Sequence, residues 1–312
     1  MLKKMLTSAV LAALSLACAM SDMKTAVTNG DLVLVKSMIE GNSDLLETKI
    51  DEYFTPLNLA SALGKTEIVG YLLEKGADVK TGDREGSTPL ENAAAKGYSD
   101  IVKMLVEKGS EINYKDINGV TALHFASMSG NLEMVKYLIS RGADMNAVSS
   151  AGRTPAAESV FSGNVELLKY YKSTGTDIRN LTVGAGNTLL HSAAGRGLKD
   201  IASYLLSEGY DVNAKNDAGQ SPFWFAVVRN DTDMINLFFE HGADPDASDP
   251  VTGTTALHHA SIKGLPETAG LFLEKGANPD IKDSEGRTPL YFASYYDNSD
   301  MEKLLKKYKA AS

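Results

Sequence analysis

The sequence predicts an all-α solenoid built from stacked helix-turn-helix units. A motif close to Thr-x-Leu-His recurs eight times at steps of 33 or 34 residues, each copy carries helix-start signals, and glycines close the helices that follow. A period of this length indicates units that bury their apolar faces only against neighbouring units. The copies begin at Thr55, Thr88, Thr121, Thr154, Thr188, Ser221, Thr255 and Thr288.

The second copy shows the local signals of one unit. Asp83 and Gly86 predict a tight turn, because Asp bonds its own backbone and Gly tolerates positive φ. Thr88 suits a helix N-cap, and Pro89 suits the first helical position, where its missing N–H costs nothing. Gly97 is typical of a helix end. The first helix of this unit is therefore expected to start at Thr88 and stop at Gly97.

A longer second helix is predicted from about Ser99 to Gly109. Its apolar residues recur at helical spacing, which indicates one buried face. The same helix is marked in other units by a pair of large apolar residues. These pairs are Leu72-Leu73, Leu105-Val106, Leu138-Ile139, Leu205-Leu206, Phe238-Phe239 and Phe272-Leu273.

With these motifs in register, residues 22–310 resemble ankyrin repeats, whose signature is a 33-residue unit carrying Thr-Pro-Leu-His-x-Ala. The resemblance implies antiparallel helix pairs with β-turn fingers along one edge and a concave groove that binds partner proteins. It also implies that His124, His191 and His258, at the fourth motif position, brace the turns through hydrogen bonds.

The period divides the chain into three parts. Residues 1–19 are predicted to be a signal peptide that is removed. Residues 20–49 fit the later part of a unit and are expected to form an N-terminal capping repeat. Residues 50–312 hold eight ankyrin repeats, of which the last is a C-terminal cap with a lysine-rich polar face.

Export is predicted from the first residues. Lys3 and Lys4 precede an uncharged, mostly apolar run, Met5–Ala17, which is too short to span a bilayer as a permanent helix. Small residues follow, so cleavage would leave Met20 first. In a second interpretation Cys18 ends a lipobox-like run and carries a lipid. Either way, we expect a bacterial exported type located in the periplasm or cell envelope.

Composition and motifs argue against several function classes. The sequence is 43% hydrophobic and 23% charged, as in ordinary folded proteins, and its net charge of −9 disfavours nucleic-acid binding. No HExxH, GxSxG or P-loop pattern occurs, and Cys18 is the sole cysteine. We therefore expect no catalytic residues, no metal and no cofactor. An accessory or protective subunit of an envelope enzyme remains an alternative, as does an enzyme without a known motif.

Two rows of residues before the glycine that closes each first helix are predicted to face the groove. One row is basic from the fifth to the seventh unit, and the other is apolar with aromatic members. We predict that they bind an acidic segment of a protein partner. The alternative is that the apolar row packs between repeats and the cations are solvated surface. The candidate residues are Lys96, Met128, Phe161, Arg196, Arg229, Ile262, Lys263, Tyr295 and Tyr296.

The fourth unit departs most from the family pattern. Ala156 and Ala157 replace the Leu-His pair, and Tyr171-Lys172 replaces the apolar pair of the second helix. Weak interfaces between neighbouring repeats lower local stability in a stacked array. Reduced stability is therefore expected near residues 154–187.

Overall fold

The structure, a computed structural model, describes residues 18–50 and 53–309. Nine successive helix pairs run through the described residues, beginning with α1 (18–29) and α2 (Leu32–Gly41). The others are α3 (Pro56–Ala62), α4 (Thr66–Glu74), α5 (Pro89–Ala95), α6 (Ser99–Glu107), α7 (Ala122–Ser129), α8 (Leu132–Ser140), α9 (Pro155–Glu158), α10 (Val165–Ser173), α11 (Leu189–Arg196), α12 (Lys199–Ser207), α13 (Pro222–Arg229), α14 (Thr232–Glu240), α15 (Ala256–Lys263), α16 (Pro266–Glu274), α17 (Pro289–Tyr295) and α18 (Ser299–Lys309).

Three short 3-10 helices, Ser43–Leu46, Ser159–Ser162 and Ile178–Asn180, complete the secondary structure. No β-strand occurs between residues 18 and 309 in the part that the structure describes, and the nearest features are isolated bridges at Thr182/Thr188 and Ser248/Thr255. The prediction of an all-α solenoid is confirmed.

Helices begin and end where the motif residues predict. Thr88 precedes α5, Pro89 is its first residue, and Gly97, just beyond its end, has φ +79°. Gly109 has φ +87° after α6. Both values lie in the left-handed region, where a side chain would strain the backbone.

The Asp-Gly turns form the predicted fingers. Oδ1 of Asp83 accepts the backbone N–H groups of Glu85 and Ser87 at 3.0 and 2.9 Å. Most fingers also pair their first backbone N–H with the carbonyl four residues later, as Asp83 does with Ser87 at 3.0 Å, whereas Asp249 pairs with Thr254 at 2.8 Å. A single aspartate side chain therefore holds each such turn closed.

The motif histidines brace neighbouring units, as the resemblance implies. Nδ1 of His124 accepts from the Thr121 backbone, and Nε2 lies 3.0 Å from the carbonyl oxygen of Arg153, which makes Nε2 the donor. His191 and His258 make the same bond to Gln220 and Arg287. Because burial lowers the pKa of all three histidines, the neutral form that makes these bonds is favoured.

The described residues form two compact units that meet in sequence at Ser162 and Gly163. In the first unit the first helices α3, α5, α7 and α9 pack in succession, and in the second unit α11, α13, α15 and α17 do the same. Within the two units, α3, α5, α7, α11, α13, α15 and α17 also pack on the second helices that follow them. Each unit is thus a row of helix pairs, with its own core between its helices.

Leucine, alanine, valine and isoleucine dominate these cores, and the second unit adds an aromatic cluster. Phe223, Phe239 and Phe272 lie with ring centroids 5.1 to 6.2 Å apart. Among the described residues, none of the helices is long and apolar enough to cross a membrane.

The fourth unit is irregular. Its first helix, α9, lasts only four residues before the chain tightens into the 3-10 helix Ser159–Ser162. Ala156 and Ala157 remain fully buried, so packing is kept although the larger motif side chains are lost. Its reduced stability remains a prediction.

Candidate functional site

The predicted basic row lies at the ends of first helices. Arg196, Arg229 and Lys263 are the last residues of α11, α13 and α15, and all three are exposed in the second unit. Lys96 follows α5 in the first unit and is also exposed. A cation at a helix C-terminus is favoured by the helix dipole, which accounts for the position without a ligand.

Arg229 connects neighbouring repeats of the second unit. Its Nη1 donates to the carbonyl oxygen of Gly195 at 3.2 Å, one residue before Arg196. A methyl group at Gly197 would lie 2.9 Å from Nη2 of Arg229. The guanidinium group therefore lies over the end of α11, and the row is a structured surface at this point.

The apolar row is less uniform. Met128 in the first unit and Tyr295 in the second are exposed, whereas Phe161 and Ile262 are half-buried. The guanidinium carbon of Arg153 lies 5.5 Å from the centre of the Phe161 ring. These residues do not form one unbroken exposed line, and Phe161 is engaged within its own unit.

Aromatic side chains of the second unit pack near the basic row. Phe225 meets His191 edge-on at 5.9 Å, and a Cβ at Gly195 would lie 3.3 Å from its Cδ1 atom. Trp224, which replaces a motif histidine, meets His259 at 6.0 Å. Burial, followed by the charge of Lys263, lowers the pKa of His259. The surface beside the cations is therefore aromatic. The lowered pKa favours the neutral form of the His259 imidazole.

Three tyrosines on and after α17 form an exposed cluster. The rings of Tyr291 and Tyr295 stack at 6.1 Å with an interplanar angle of 15°, and Tyr296 meets Tyr295 edge-on at 5.0 Å. Each is about half exposed or more. Tyrosine offers a large rigid face and a hydroxyl group, which suits it to anchor a partner.

A cavity of about 480 Å³ lies in the first unit, between the finger and first helix of the third repeat and those of the fourth. Phe125 and Met128 supply apolar wall, and Asp116, Arg153 and Glu158 supply charge. Its remaining lining residues are Asn118, Val120, His124, Ser149, Ser150 and Ala151.

A buried ion pair lies in this cavity wall. Nε of Arg153 is 2.8 Å from Oε1 of Glu158, whose side chain is only 6% exposed. Burial raises the pKa of Glu158, and Arg153 lowers it in opposition. Oε2 of Glu158 is buried and has no hydrogen-bond partner within the described residues.

Sequence reasoning missed Glu158 and Asp116. Glu158 stands four residues after Thr154, at a position where no other repeat carries an acidic residue, so its charge was the available signal. The other repeats carry Leu59, Asn92, Phe125, Ser192, Phe225, His259 and Phe292 there. Asp116 did not stand out in the sequence, because most fingers carry Asp or Asn at this position. Only packing between repeats shows that both line one cavity.

Candidate metal ligands do not cluster among the described residues. Across residues 18–50 and 53–309, no group of three or more His, Cys, Asp or Glu residues is arranged to hold a metal ion. Cys18 is exposed in α1. Residues 1–17 of the predicted signal peptide, which spans residues 1–19, lie outside the described residues.

Known proteins resemble the chain along most of its length. The family model for ankyrin repeats in three copies matches residues 23–116, 110–182, 156–249 and 223–311. Cyclin-dependent kinase 4 inhibitor B of Bos taurus is 31% identical over 126 residues, which are 40% of this chain and 95% of that protein. Human BCL-6 corepressor-like protein 1 is 39% identical over 85 residues, which are 27% of this chain and 5% of that protein.

The solved structure of the human ASB11 ankyrin repeat domain is also similar. It superposes with a TM-score of 0.62 at 26% identity, covering 71% of this chain and 98% of that domain. Ankyrin repeats bind protein partners. From the repeat geometry, the histidine braces and the match over residues 23–311, the chain belongs to the ankyrin repeat family.

Proposed function

We propose that this protein is a non-enzymatic scaffold that binds an acidic segment of a partner protein along the first helices of its second unit. The observation that carries the proposal is the placement of Arg196, Arg229 and Lys263 at equivalent, exposed helix ends. Each is an exposed cation in a protein whose net charge is −9, so the row stands out against its surroundings.

The neighbouring side chains support this function. Tyr291, Tyr295 and Tyr296 supply exposed aromatic anchors on the last first helix of the same unit. A partner that carries carboxylates would gain charge complementarity from the cations, and apolar contact from the rings. Rim charges mainly set the association rate and its dependence on salt.

Reversing the basic row is expected to abolish partner binding. We expect the Arg196→Glu, Arg229→Glu, Lys263→Glu variant to recover its partner from envelope extract at least about tenfold less well. Three positive charges opposite the partner's carboxylates become negative, so attraction becomes repulsion. Recovery is measured by affinity purification and quantitative mass spectrometry. The matched control is Lys215→Glu, Lys275→Glu, Lys282→Glu, with the same charge change at exposed positions outside the row. Equal recovery by both variants would contradict the proposal.

We also infer that the protein acts after export, in the bacterial periplasm or cell envelope. The support is the charged n-region, the short apolar run and the small residues that follow, all read from the sequence. A second candidate function, an accessory subunit of an envelope enzyme, would appear in the same purification as a stoichiometric enzyme.

The mature N-terminus is expected to begin at Met20. Because Ala17 and Ala19 are small residues just before the predicted cleavage point, a signal peptidase is expected to cut after Ala19. Intact-mass analysis of protein isolated from the envelope checks this. A mass that begins at Cys18 with two or three acyl chains would instead establish lipidation, and a mass that retains Met1 would contradict export by either route.

A further inference from the structure

The cavity of the first unit holds more carboxylate than its own cation can neutralise. Among its described lining residues, Asp116 and Glu158 are acidic and Arg153 is the one permanent cation. His124 adds no charge in its braced form, since burial lowers its pKa and Nε2 is committed to the Arg153 carbonyl. The wall is therefore net acidic.

Glu158 also keeps one carboxylate oxygen without a partner in the part of the chain that the structure describes. The ion pair with Arg153 involves Oε1 of Glu158, whereas Oε2 is unpartnered although the residue is only 4% exposed. Asp116 accepts two backbone N–H groups, from Asn118 and Val120, both on Oδ1 at 2.8 Å. Buried acceptors without donors are costly, so this site is suited to a ligand that brings donors.

In other repeats the finger side chain at the position of Asp116 has a further side-chain partner within the chain. Oδ2 of Asp83 accepts from the side chain of Asn92 at 2.9 Å, and Oδ2 of Asp283 pairs with Nε of Arg287 at 2.8 Å. Asn216 at the same finger position donates to Asn187. The third and fourth repeats depart from this pattern at the place where the cavity lies.

We propose that this cavity is a second binding site, which receives a lysine or arginine side chain from a protein partner. The cationic head would donate to the carboxylates of Glu158 and Asp116, and the aliphatic stem would lie against Phe125 and Met128. Met128 is 43% exposed, which leaves an apolar wall open to solvent at the mouth. Long basic side chains combine an apolar stem with a charged head, as this wall requires.

This site goes beyond the proposed function. It lies in the first unit, has the opposite charge preference, and shares no residue with the basic row of the second unit. Arg153 lies beside Glu158, with Nε 2.8 Å from Oε1 and the guanidinium carbon 5.5 Å from the Phe161 ring centre.

The test uses the full chain and four blocked tripeptides, acetyl-Gly-X-Gly-amide, in which X is lysine, arginine, norleucine or glutamate. Backbone amide shifts are followed by NMR during titration. We expect saturable shifts at Asn118, Met128 and Ser150 with the lysine and arginine peptides, at dissociation constants on the order of millimolar for so small a ligand. Norleucine and glutamate peptides are expected to give none. The relative strength of the two cationic peptides distinguishes an ammonium from a guanidinium ligand.

Two variants assign the binding to the carboxylates. Glu158→Gln is expected to weaken the lysine peptide by about tenfold, since a hydrogen bond to a charged group is lost. Asp116→Asn is expected to weaken it less and to keep the finger folded, because Asn216 closes a later finger through the same two backbone bonds. Glu133→Gln, an exposed change of the same kind in the first unit, is the matched control.

The outcomes separate this site from the basic row. The triple charge reversal at Arg196, Arg229 and Lys263 is expected to leave lysine-peptide binding unchanged. Norleucine binding as well as lysine does, unchanged affinity in both carboxylate variants, or no saturable shift in the unmodified protein would each overturn the inference. The titration of the unmodified protein decides the matter even if Glu158→Gln fails to fold.

Discussion

Truncation of Phe272 to alanine is expected to lower the free energy of unfolding by about 3–5 kcal/mol, as large-to-small changes of buried aromatic residues do. The side chain is fully buried in α16, and its ring meets those of Phe223 and Phe239 at 6.2 Å each. The cavity would therefore open between neighbouring repeats, whose interface stabilises the stacked array.

Urea denaturation followed by tryptophan fluorescence measures this effect. Trp224 is the single tryptophan and lies in α13, within the same unit as the aromatic cluster. Tyr295→Ala is the control, because that ring is 67% exposed and its loss is expected to cost less than about 1 kcal/mol. Equal destabilisation by the two changes would mean that Phe272 does not hold the interface.

Glu91 is the second position where a large effect is expected. It occupies the motif position of the bracing histidines, and its Oε2 accepts the backbone N–H of Thr88 at 2.7 Å. Each bracing histidine bonds the carbonyl 29 residues further along the chain, as His124 does with Arg153. For Glu91 the carbonyl at the same spacing is that of Val120. Oε1 of Glu91 is buried and has no partner within the described residues. A carboxylate cannot donate to a carbonyl, whereas a protonated carboxyl can.

Burial raises the pKa of Glu91 from 4.5 to about 8, and the negative charges of Asp116 and Asp83 add to this rise. The hydrogen bond from Thr88 acts in the opposite direction and lowers the pKa. The unfolded chain therefore releases this proton near pH 4.5 and the folded chain only near pH 8. Unfolding releases a proton between these values, so the stability due to Glu91 declines as pH rises through the window.

Glu91→Gln is expected to remove this decline. Its amide oxygen can accept from Thr88, and its amide nitrogen can donate, at every pH. The variant is expected to match the unmodified protein at pH 5 and to exceed its free energy of unfolding by about 2–4 kcal/mol at pH 8, since one pKa unit corresponds to about 1.4 kcal/mol.

Denaturation at several pH values between 5 and 8 measures the slope, with Glu85→Gln as an exposed control in the neighbouring finger. Glu91→His, which restores the family residue, is expected to act in the same direction at pH 8. Parallel pH profiles for the Glu91→Gln variant and the unmodified protein would show that the carboxyl is ionised throughout the window and that the explanation is wrong.

The repeats and their helices were predictable in detail. Thr88, Pro89, Gly97 and Gly109 act on the backbone within a few residues of themselves, so their effects can be read without a partner. The predicted exposure of Arg196, Arg229 and Lys263 is also met, because register along a repeat fixes which positions follow the first helix. Whether they bind an acidic segment stays a prediction.

Other features could not be predicted, because they depend on pairs of distant residues. The bond from Arg229 to the Gly195 carbonyl joins residues 34 apart. The guanidinium carbon of Arg153 lies 5.5 Å from the centre of the Phe161 ring, and partner binding by Phe161 stays a prediction. The shortening of α9 followed the loss of the Leu-His pair, but no sequence rule gives the 3-10 helix that replaces its end.

The sequence by itself determined the family, the period and the ends of the helices, because caps, prolines and glycines are local signals repeated in every unit. Tertiary structure alone decided which polar groups are satisfied. Glu91 and Glu158 both follow a Thr-Pro motif residue within four positions, and each is buried with one carboxylate oxygen lacking a partner among the described residues. Of the two, Glu158 lies against an arginine and lines a cavity. Burial and packing within the stack set the charge and chemistry of such groups, and no local signal along the chain gives them.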